Sequence, residues 1–368
     1  MDIRANLAII PDPRIDRCKK HLLTDILLLC IIAMVCGVEC IEDINFFGIT
    51  HFEWLKHYLS LPHGIPSADT ILRVLGRIDH TKFEECFRNW TQGYFRERVR
   101  PGSVIAIDGK TVRGSATETG KGIHLVSAWA NELGLVLGQV KTAEKSNEIT
   151  AIPELLAALD VKGCIITIDA MGCQKQIAAD ITKGKGDYVL ALKENHPETH
   201  AEVVSLFPEN ELGEAEYTET TKDHGRIEKR EAWLYNDTSW FAGLKDWAGL
   251  KAFGCIRSSR TIKEITTTVY RYYLTSLTDT AQFARSVRAH WGIENKLHWT
   301  LDVAFREDYA RNRKDHSAAN LAVMRKITLN LIRLEPTEKY EKQKLSLNRK
   351  RLYASYNPEF LLKILLNL

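Results

Sequence analysis

No stretch of this 368-residue sequence is apolar for long enough to cross a membrane comfortably. The nearest candidate runs from Ile26 to Val38, behind Lys19-Lys20. It falls short of the roughly 20 residues a spanning helix needs. It also lies too far from Met1 for a usual signal peptide. A buried core helix is the better reading, and no membrane is expected among the partners. The eight cysteines form no Cys-x-x-Cys pair, and most sit in apolar surroundings. They read as reduced, buried thiols of a cytoplasmic protein. No repeat or low-complexity tract stands out. Charge of one sign is also missing: the net charge is only +3, so the total does not announce a nucleic-acid binder.

The distribution of that charge says more. From Arg306 to Arg351 there are 13 Lys/Arg against 6 Asp/Glu. A basic C-terminal third suggests a polyanionic partner. The remaining composition, 45% hydrophobic and 26% charged, is that of an ordinary globular protein long enough for two or three domains.

Chemistry enters at Val104-Ile105-Ala106-Ile107-Asp108-Gly109-Lys110. Four apolar residues end in a carboxylate, between Pro101-Gly102 and Gly109. That is a buried strand with an acid at its tip. The outline recurs at Cys164-Ile165-Ile166-Thr167-Ile168-Asp169-Ala170-Met171-Gly172. One such Asp is ordinarily an N-cap or a turn former. Two of them on adjacent strands would lie side by side and repel unless they share a proton or a cation. A hard divalent ion suits such a pair.

Around these strands the chain divides into three. Residues 1–98 read as helical and as a possible DNA-binding domain. They hold a hydrophobic helix from about Leu22 to Gly37 and a second near Glu42 to Leu59. A helix capped by Ser67 or Asp69 runs through Ile78, and another opens at His80-Thr81. Ser67 to Arg77 is a possible recognition helix. Residues 102–335 read as the catalytic domain. Its strands Ile123–Ala130 and Leu135–Lys141 form a meander with the first Asp strand. A helix from Ser146 to Leu159, the second Asp strand, a helix over Gln174–Thr182 and a strand over Asp187–Lys193 follow. The crossover makes the two Asp strands parallel and aligns their tips. Residues of about 212–277 read as a β-rich insertion, and Ala281 to Thr300 as one long helix capped by Asp279 or Thr280. Residues 336–368 read as a basic helical tail.

On the long helix, Glu294 has His290 four residues before it and His298 four after, so the three share a face. Trp291 and Trp299 flank them. Two strand-tip carboxylates and this one can hold two divalent ions, which serve phosphoryl transfer.

These segments together resemble the insertion-sequence transposases that carry an Asp-Asp-Glu triad, in particular the H-repeat-associated group. The matching text covers nearly the whole chain. It includes Pro11-Asp12-Pro13-Arg14, Ile107-Asp108-Gly109-Lys110-Thr111 and Lys145-Ser146-Asn147-Glu148-Ile149. It also includes Thr167-Ile168-Asp169-Ala170-Met171-Gly172, Ala191-Leu192-Lys193-Glu194-Asn195 and Leu301-Asp302-Val303-Ala304-Phe305. The resemblance implies an α/β fold: a ribonuclease-H-like mixed sheet with helices on both faces, a β-rich insertion and a helical N-terminal domain. It implies Asp108, Asp169 and Glu294 as the catalytic and metal-holding triad, with Mg2+ or Mn2+ as cofactor. It implies DNA, both element ends and target, as the partner, bound by a homodimer. Related transposases carry Tyr, Arg and Lys seven before, four before and seven after the Glu. Here those positions are Val287, His290 and Leu301, so phosphate contacts fall to other groups. The candidates are Lys110, Arg113, Lys145, Lys193, Asn195, Arg288, His290, Trp291, Asn295 and His298. The implied activity is metal-dependent cutting of element ends and joining of 3′ hydroxyls to target DNA. A non-catalytic DNA-binding remnant, or a nuclease without strand transfer, are the alternatives.

Overall fold

A computed structural model describes residues 3–118, 120–142, 148–209, 211–223 and 225–365. The N-terminal part is helical throughout: α1 (Ile3–Leu7), α2 (Leu23–Val35), α3 (Ile41–Thr50), α4 (Phe52–Leu55), α5 (Ala68–Arg77) and α6 (His80–Arg98). The apolar run seen in the sequence is α2, and every residue of it except Thr24 is buried. Its one charge, Asp25, is matched by the backbone N–H groups of Ser60 and Leu61, which donate to Oδ2 at 3.1 and 3.3 Å. Among the described residues no helix is long and apolar enough to cross a membrane.

The expected second helix is two. The Thr50 hydroxyl donates to the carbonyls of Phe46 and Phe47, and His51 Nδ1 lies 3.0 Å from the Phe47 carbonyl. Side chains that compete for the last carbonyls end α3, and α4 restarts beyond His51. Ser67 caps α5 by accepting from Thr70 N–H. Asp79 caps α6, accepting from Thr81 N–H. The inner face of α5, Ile71, Val74 and Leu75, is buried, while Arg73 and Arg77 face outward.

The centre is a mixed nine-stranded sheet of β1 (Val104–Thr111), β2 (His124–Ala130), β3 (Leu135–Thr142), β4 (Ile165–Ile168), β5 (Asp187–Leu192), β6 (Tyr217–Asp223), β7 (Arg226–Tyr235), β8 (Ala252–Ile262) and β9 (Ile265–Thr275). The spatial order is β3-β2-β1-β4-β5-β9-β8-β7-β6. β1 pairs antiparallel with β2 and parallel with β4, and β5 is parallel to β4. The parallel core forms because α7 (Glu148–Ala157) and α8 (Lys175–Lys183) make the crossovers. The start expected for α7 at Ser146-Asn147 lies outside the described residues. The β-rich insertion is not a separate sheet. Its last strand, β9, pairs antiparallel with β5, so four long strands extend the central sheet as an arm.

Helices cover both faces, which is why β1 and β4 read as unbroken apolar runs. On one face Ile105, Ile107, Ile166 and Ile168 pack with α7 and α8. On the other, Val104 and Ile165 meet α10 (Thr280–Gly292). The expected single helix over Ala281–Thr300 is α10, then a π-helical stretch at Ile293–His298, then α11 (Trp299–Val303).

After α9 (Pro197–Leu206) and α11 come α12 (Ser317–Leu334), a hairpin of β10 (Lys339–Tyr340) and β11 (Gln343–Lys344), α13 (Leu347–Tyr356) and α14 (Pro358–Leu365). These last helices fold back, and their apolar residues join one core with α2, α5 and α6. The basic excess seen in the sequence is accordingly not all surface. Arg325, Lys326, Lys350 and Arg351 are buried. Arg351 donates to the Met34 carbonyl at the end of α2, pairs with Glu39 and lies over the Phe305 ring. Arg333 lies over the Trp129 ring, and burial pushes its guanidinium down to about 10.

Candidate active site

Strand alternation decides where the acids point. Asp108 shares its face with Val104 and Ala106, and Asp169 shares its face with Ile165 and Thr167. That is the face α10 covers. The last Cα partners of the parallel pair are Ile107 and Ile168, so the two Asp follow in register on neighbouring strands. Asp169 also has the modest role that its sequence allowed. Its Oδ1 accepts from the N–H groups of Met171 and Gly172 at 3.1 and 3.3 Å, tying the turn behind β4.

Glu294 arrives on the π-helical stretch. One extra residue per turn re-aims the side chains of a helix, and such turns recur at functional sites. Ile293 and Leu297 anchor this one in the core, leaving Glu294 on the open side. His298 Nδ1 lies 3.7 Å from Asp108 Oδ2 and 3.6 Å from Glu294 Oε2. Asp108, Glu294 and His298 offer one ligand atom each within 4.8 Å of one another, the one such group of three or more among the described residues. Asp169 stands outside that group.

The electrostatics follow from the crowding. Burial first, then Glu294 and Asp169 beside it, push the Asp108 carboxyl up to about 8. His298 pulls Glu294 down to about 2 against the effect of burial. Asp108 therefore carries a proton at neutral pH that it gives up when a cation replaces it. His290, which the sequence puts on the same helix face as Glu294, turns to β4 instead. Its Nδ1 lies 3.0 Å from Thr167 Oγ1, and burial holds its pKa below the usual value.

The donor set fits a hard divalent cation: carboxylate oxygens dominate, and the buried Nε2 of His298 has no hydrogen-bond partner. Behind the acids a second buried pair, His124 Nε2 and Glu148 Oε1 at 2.6 Å, presses on Gly109 from the other face. A Cβ at Gly109 would lie 2.4 Å from each of those atoms, so the Asp-Gly sequence is a packing requirement as well as a chemical one.

The residues expected to meet DNA divide. Lys110 is engaged within the fold: its ammonium sits among Asp302, Glu307 and Asp308 at 2.7, 2.9 and 3.3 Å, and its side chain is 11% exposed. Burial would lower its pKa, but Glu307 and Asp302 hold it above the usual lysine value. Three carboxylates around it leave it no charge to offer a phosphate. Asn195 donates its amide to the Ala170 carbonyl at 2.7 Å, bracing the turn behind Asp169. Lys145 lies outside the described residues. Arg113, Lys193, Arg288 and Asn295 are exposed. Trp291 is exposed beneath the Arg271 guanidinium, and Trp299 is 61% exposed, so neither is a core residue.

Arg288, Trp291 and Asn295 border a groove of about 580 Å³ with Arg226, Arg230, Arg260 and Arg271 of the arm. The register places those arm residues on one face, the face that carries Glu294's helix. Glu228 bridges Arg226 and Arg230 but leaves the groove strongly basic. Sequence reading missed these arm arginines. The signal was present, since Arg226 and Arg230 are separated by an even step in a strand.

Comparison with known proteins gives the chain a family. Residues 4–91 match the DDE_Tnp_1-associated family model, and residues 99–331 match the model of the transposase DDE domain. A protein of Escherichia coli O157:H7 named "Putative transposase YncI" is 43% identical over 93% of this chain and 91% of its own length. The "H repeat-associated putative transposase YhhI" of Escherichia coli K12 is 42% identical over 98% of this chain and 96% of its own. Among solved structures, a piggyBac transposase synaptic complex with hairpin DNA aligns over 98% of this chain and 77% of its own, at 12% identity and a TM-score of 0.42. That likeness is too slight to bear on fold or site. The sequence relatives and the two family models together place the chain: it belongs to the DDE transposase family, with the H repeat-associated transposases of insertion sequences.

Proposed function

We propose that this protein is an insertion-sequence transposase that cuts element ends and joins the freed 3′ hydroxyls to target DNA. The carrying observation is the convergence on Asp108, which lies inside β1, three residues before its end. Asp108 and Glu294 meet His298 within ligand distance, and Asp169 stands on the parallel strand alongside. The strand order β3-β2-β1-β4-β5, two antiparallel pairs followed by two parallel ones, supports a ribonuclease-H-like core over residues 102–335.

Asp108, Asp169 and Glu294 would hold Mg2+ or Mn2+, with His298 as a further donor or as the group that orients Glu294. The chemistry an ion pair supplies in such a site is activation of the attacking oxygen and neutralisation of charge on the leaving one. The chain's own part is positional. The turn N–H groups of Met171 and Gly172 orient Asp169. The Thr167–His290 hydrogen bond fixes α10 against β4. The His298 imidazole beside Glu294 keeps that carboxylate ionised. The groove of arm arginines, with Arg288 and Asn295, offers a phosphate track that ends at Glu294. Arg113 and Lys193 are further exposed cations for DNA. Trp291 and Trp299 present open ring faces on which an unpaired base would stack. Two copies acting on paired ends would make the working unit a homodimer.

The test is incubation with DNA bearing the flanking element ends, with Mg2+ and a target plasmid, followed by mapping of the cut strands and joined products. Nicks at the element ends together with joined products are expected. Nicks without joining would reduce the reading to a nuclease, and DNA binding without nicks would leave a non-catalytic remnant.

A further inference from the structure

Lys110 poses a problem that the metal site does not answer. It stands two residues beyond Asp108 on the same strand and therefore on the same face. Its ammonium is surrounded by Asp302, Glu307 and Asp308, which lie almost two hundred residues away in sequence. All three belong to the segment immediately after Glu294. Asp302 lies in the last turn of α11, and a left-handed reversal at Arg306 (φ 47°) then brings Glu307 and Asp308 back to β1. Glu307 is fully buried, with Arg325 Nη1 at 3.9 Å behind it. Asp308 also accepts the Arg113 N–H at 3.0 Å.

The segment that carries Glu294 is thus held at both ends. Upstream, Asp279 caps α10 and His290 bonds to Thr167. Downstream, the Lys110 cluster holds it, beside the buried Leu301 and Phe305 and the Arg351 guanidinium on the Ala304 carbonyl. Between them lies a π-helical turn, a rare form that occurs mostly as a single bulge within an α-helix. Removing the one ammonium at the centre would leave three carboxylates repelling one another beside Asp108.

We propose that Lys110 is a positioning residue: by gripping Asp302, Glu307 and Asp308 it sets the separation of Glu294 from Asp108, so that the ligand set is assembled before an ion enters. This rests on the reading of Asp108 and Glu294 as metal-holding groups. A supporting side chain of this kind changes metal affinity by about 10- to 100-fold when removed.

The test compares the full-length protein with Lys110→Met and Lys110→Arg in two measurements made without DNA. Hydrogen exchange of the amides of residues 293–303 reports the position of the segment, with those of α8 as the internal control. Mn2+ titration reports the site. Lys110→Met is expected to speed exchange over 293–303 while α8 stays protected, and to weaken Mn2+ binding by about 10- to 100-fold. Lys110→Arg, which keeps the charge, restores most of both. Exchange and Mn2+ affinity unchanged in Lys110→Met would overturn the proposal, as would a loss of protection spread evenly over the chain. If Lys110→Met does not fold, Asp302→Asn takes its place. It removes the outermost carboxylate, and unchanged exchange there would equally overturn the proposal. A wild-type protein that binds no Mn2+ overturns the metal reading, and the exchange comparison then decides the positioning role alone.

Discussion

The two halves of the sheet use the same backbone for opposite ends. In β3-β2-β1-β4-β5 helices cover both faces, the strands are apolar at nearly every position, and polar side chains are confined to a few paired sites. An acid among those strands stands out, because burial raises the cost of its charge unless a partner is present. In β6 to β9 only the part near β5 is buried. Beyond Ala232 and Ile256 the strands alternate between half-exposed and exposed residues, and the even positions of one face carry arginines. The first half concentrates negative charge at one point, and the second spreads positive charge along a surface. A buried charge must be placed to a fraction of an ångström, whereas a phosphate track tolerates variation.

The most severe break in the comparison is Glu294→Gln. It keeps volume and removes one charge from the buried half's site. Cleavage with Mg2+ should fall by more than about a thousandfold, the scale on which loss of one member of a catalytic unit is felt. DNA affinity and the melting temperature should stay near wild type. His290→Ala and His298→Ala should be milder. Retained cleavage in Glu294→Gln alongside inactive His variants would assign the chemistry to the histidines instead.

The pH dependence of the metal-free protein comes next. The Asp108 carboxyl is pushed up to about 8 in the folded state, from 3.8 when unperturbed. The folded protein therefore holds a proton that the unfolded chain releases. The stability this provides is complete below about pH 4 and is lost as pH rises to about 8, at most about 1.4 kcal/mol per pH unit. Glu294, held down to about 2, works in the opposite sense but only in acid. Denaturant midpoints in EDTA across this range should fall with pH for wild type and flatten in Asp108→Asn. A parallel slope in the variant would remove Asp108 as the cause.

Gly109→Ala tests the packing on the reverse face. The new methyl would meet Glu148 and His124, both buried and bonded to each other. Overpacking of this sort costs about 1–3 kcal/mol. A melting temperature equal to wild type would show that the pair can move aside.

The smallest effects belong to the arm. Arg230→Ala with Arg271→Ala should leave melting and metal binding unchanged and lower DNA affinity evenly across sequences. The slope of log affinity against log salt should become less steep by about 0.9 for each phosphate no longer neutralised. An unaltered slope would move the DNA off this groove.

How much of this could be read without the structure depends on distance along the chain. The buried Asp strands, the meander, the crossovers and the N-terminal helices were legible because periodicity and turn residues act over a few positions. The reading of His290, Glu294 and His298 as one face of a regular helix is altered locally. A π-helical turn has no period to announce it, and it sends His298 toward the acids and His290 toward β4. The ion pairs of Lys110 were not legible because nothing near it in sequence says that its partners come from 302–308. The same holds for Arg325, Lys326 and Arg351, counted as surface charge and found inside.

The sequence by itself determined that two carboxylates would follow apolar runs on neighbouring parallel strands, although β1 continues past Asp108 to Thr111 where a strand end was expected. An apolar strand has two faces, a crossover connection fixes its direction, and alternation does the rest. Tertiary structure alone decided that His298 stands beside Asp108 and Glu294, which lysine is engaged by carboxylates, and that the inserted strands extend the same sheet. Those outcomes rest on ion pairs and strand edges that meet only after folding. A charge carries no mark in the sequence of the partner that will desolvate it, so the same lysine reads as a phosphate ligand until its three carboxylates are seen around it.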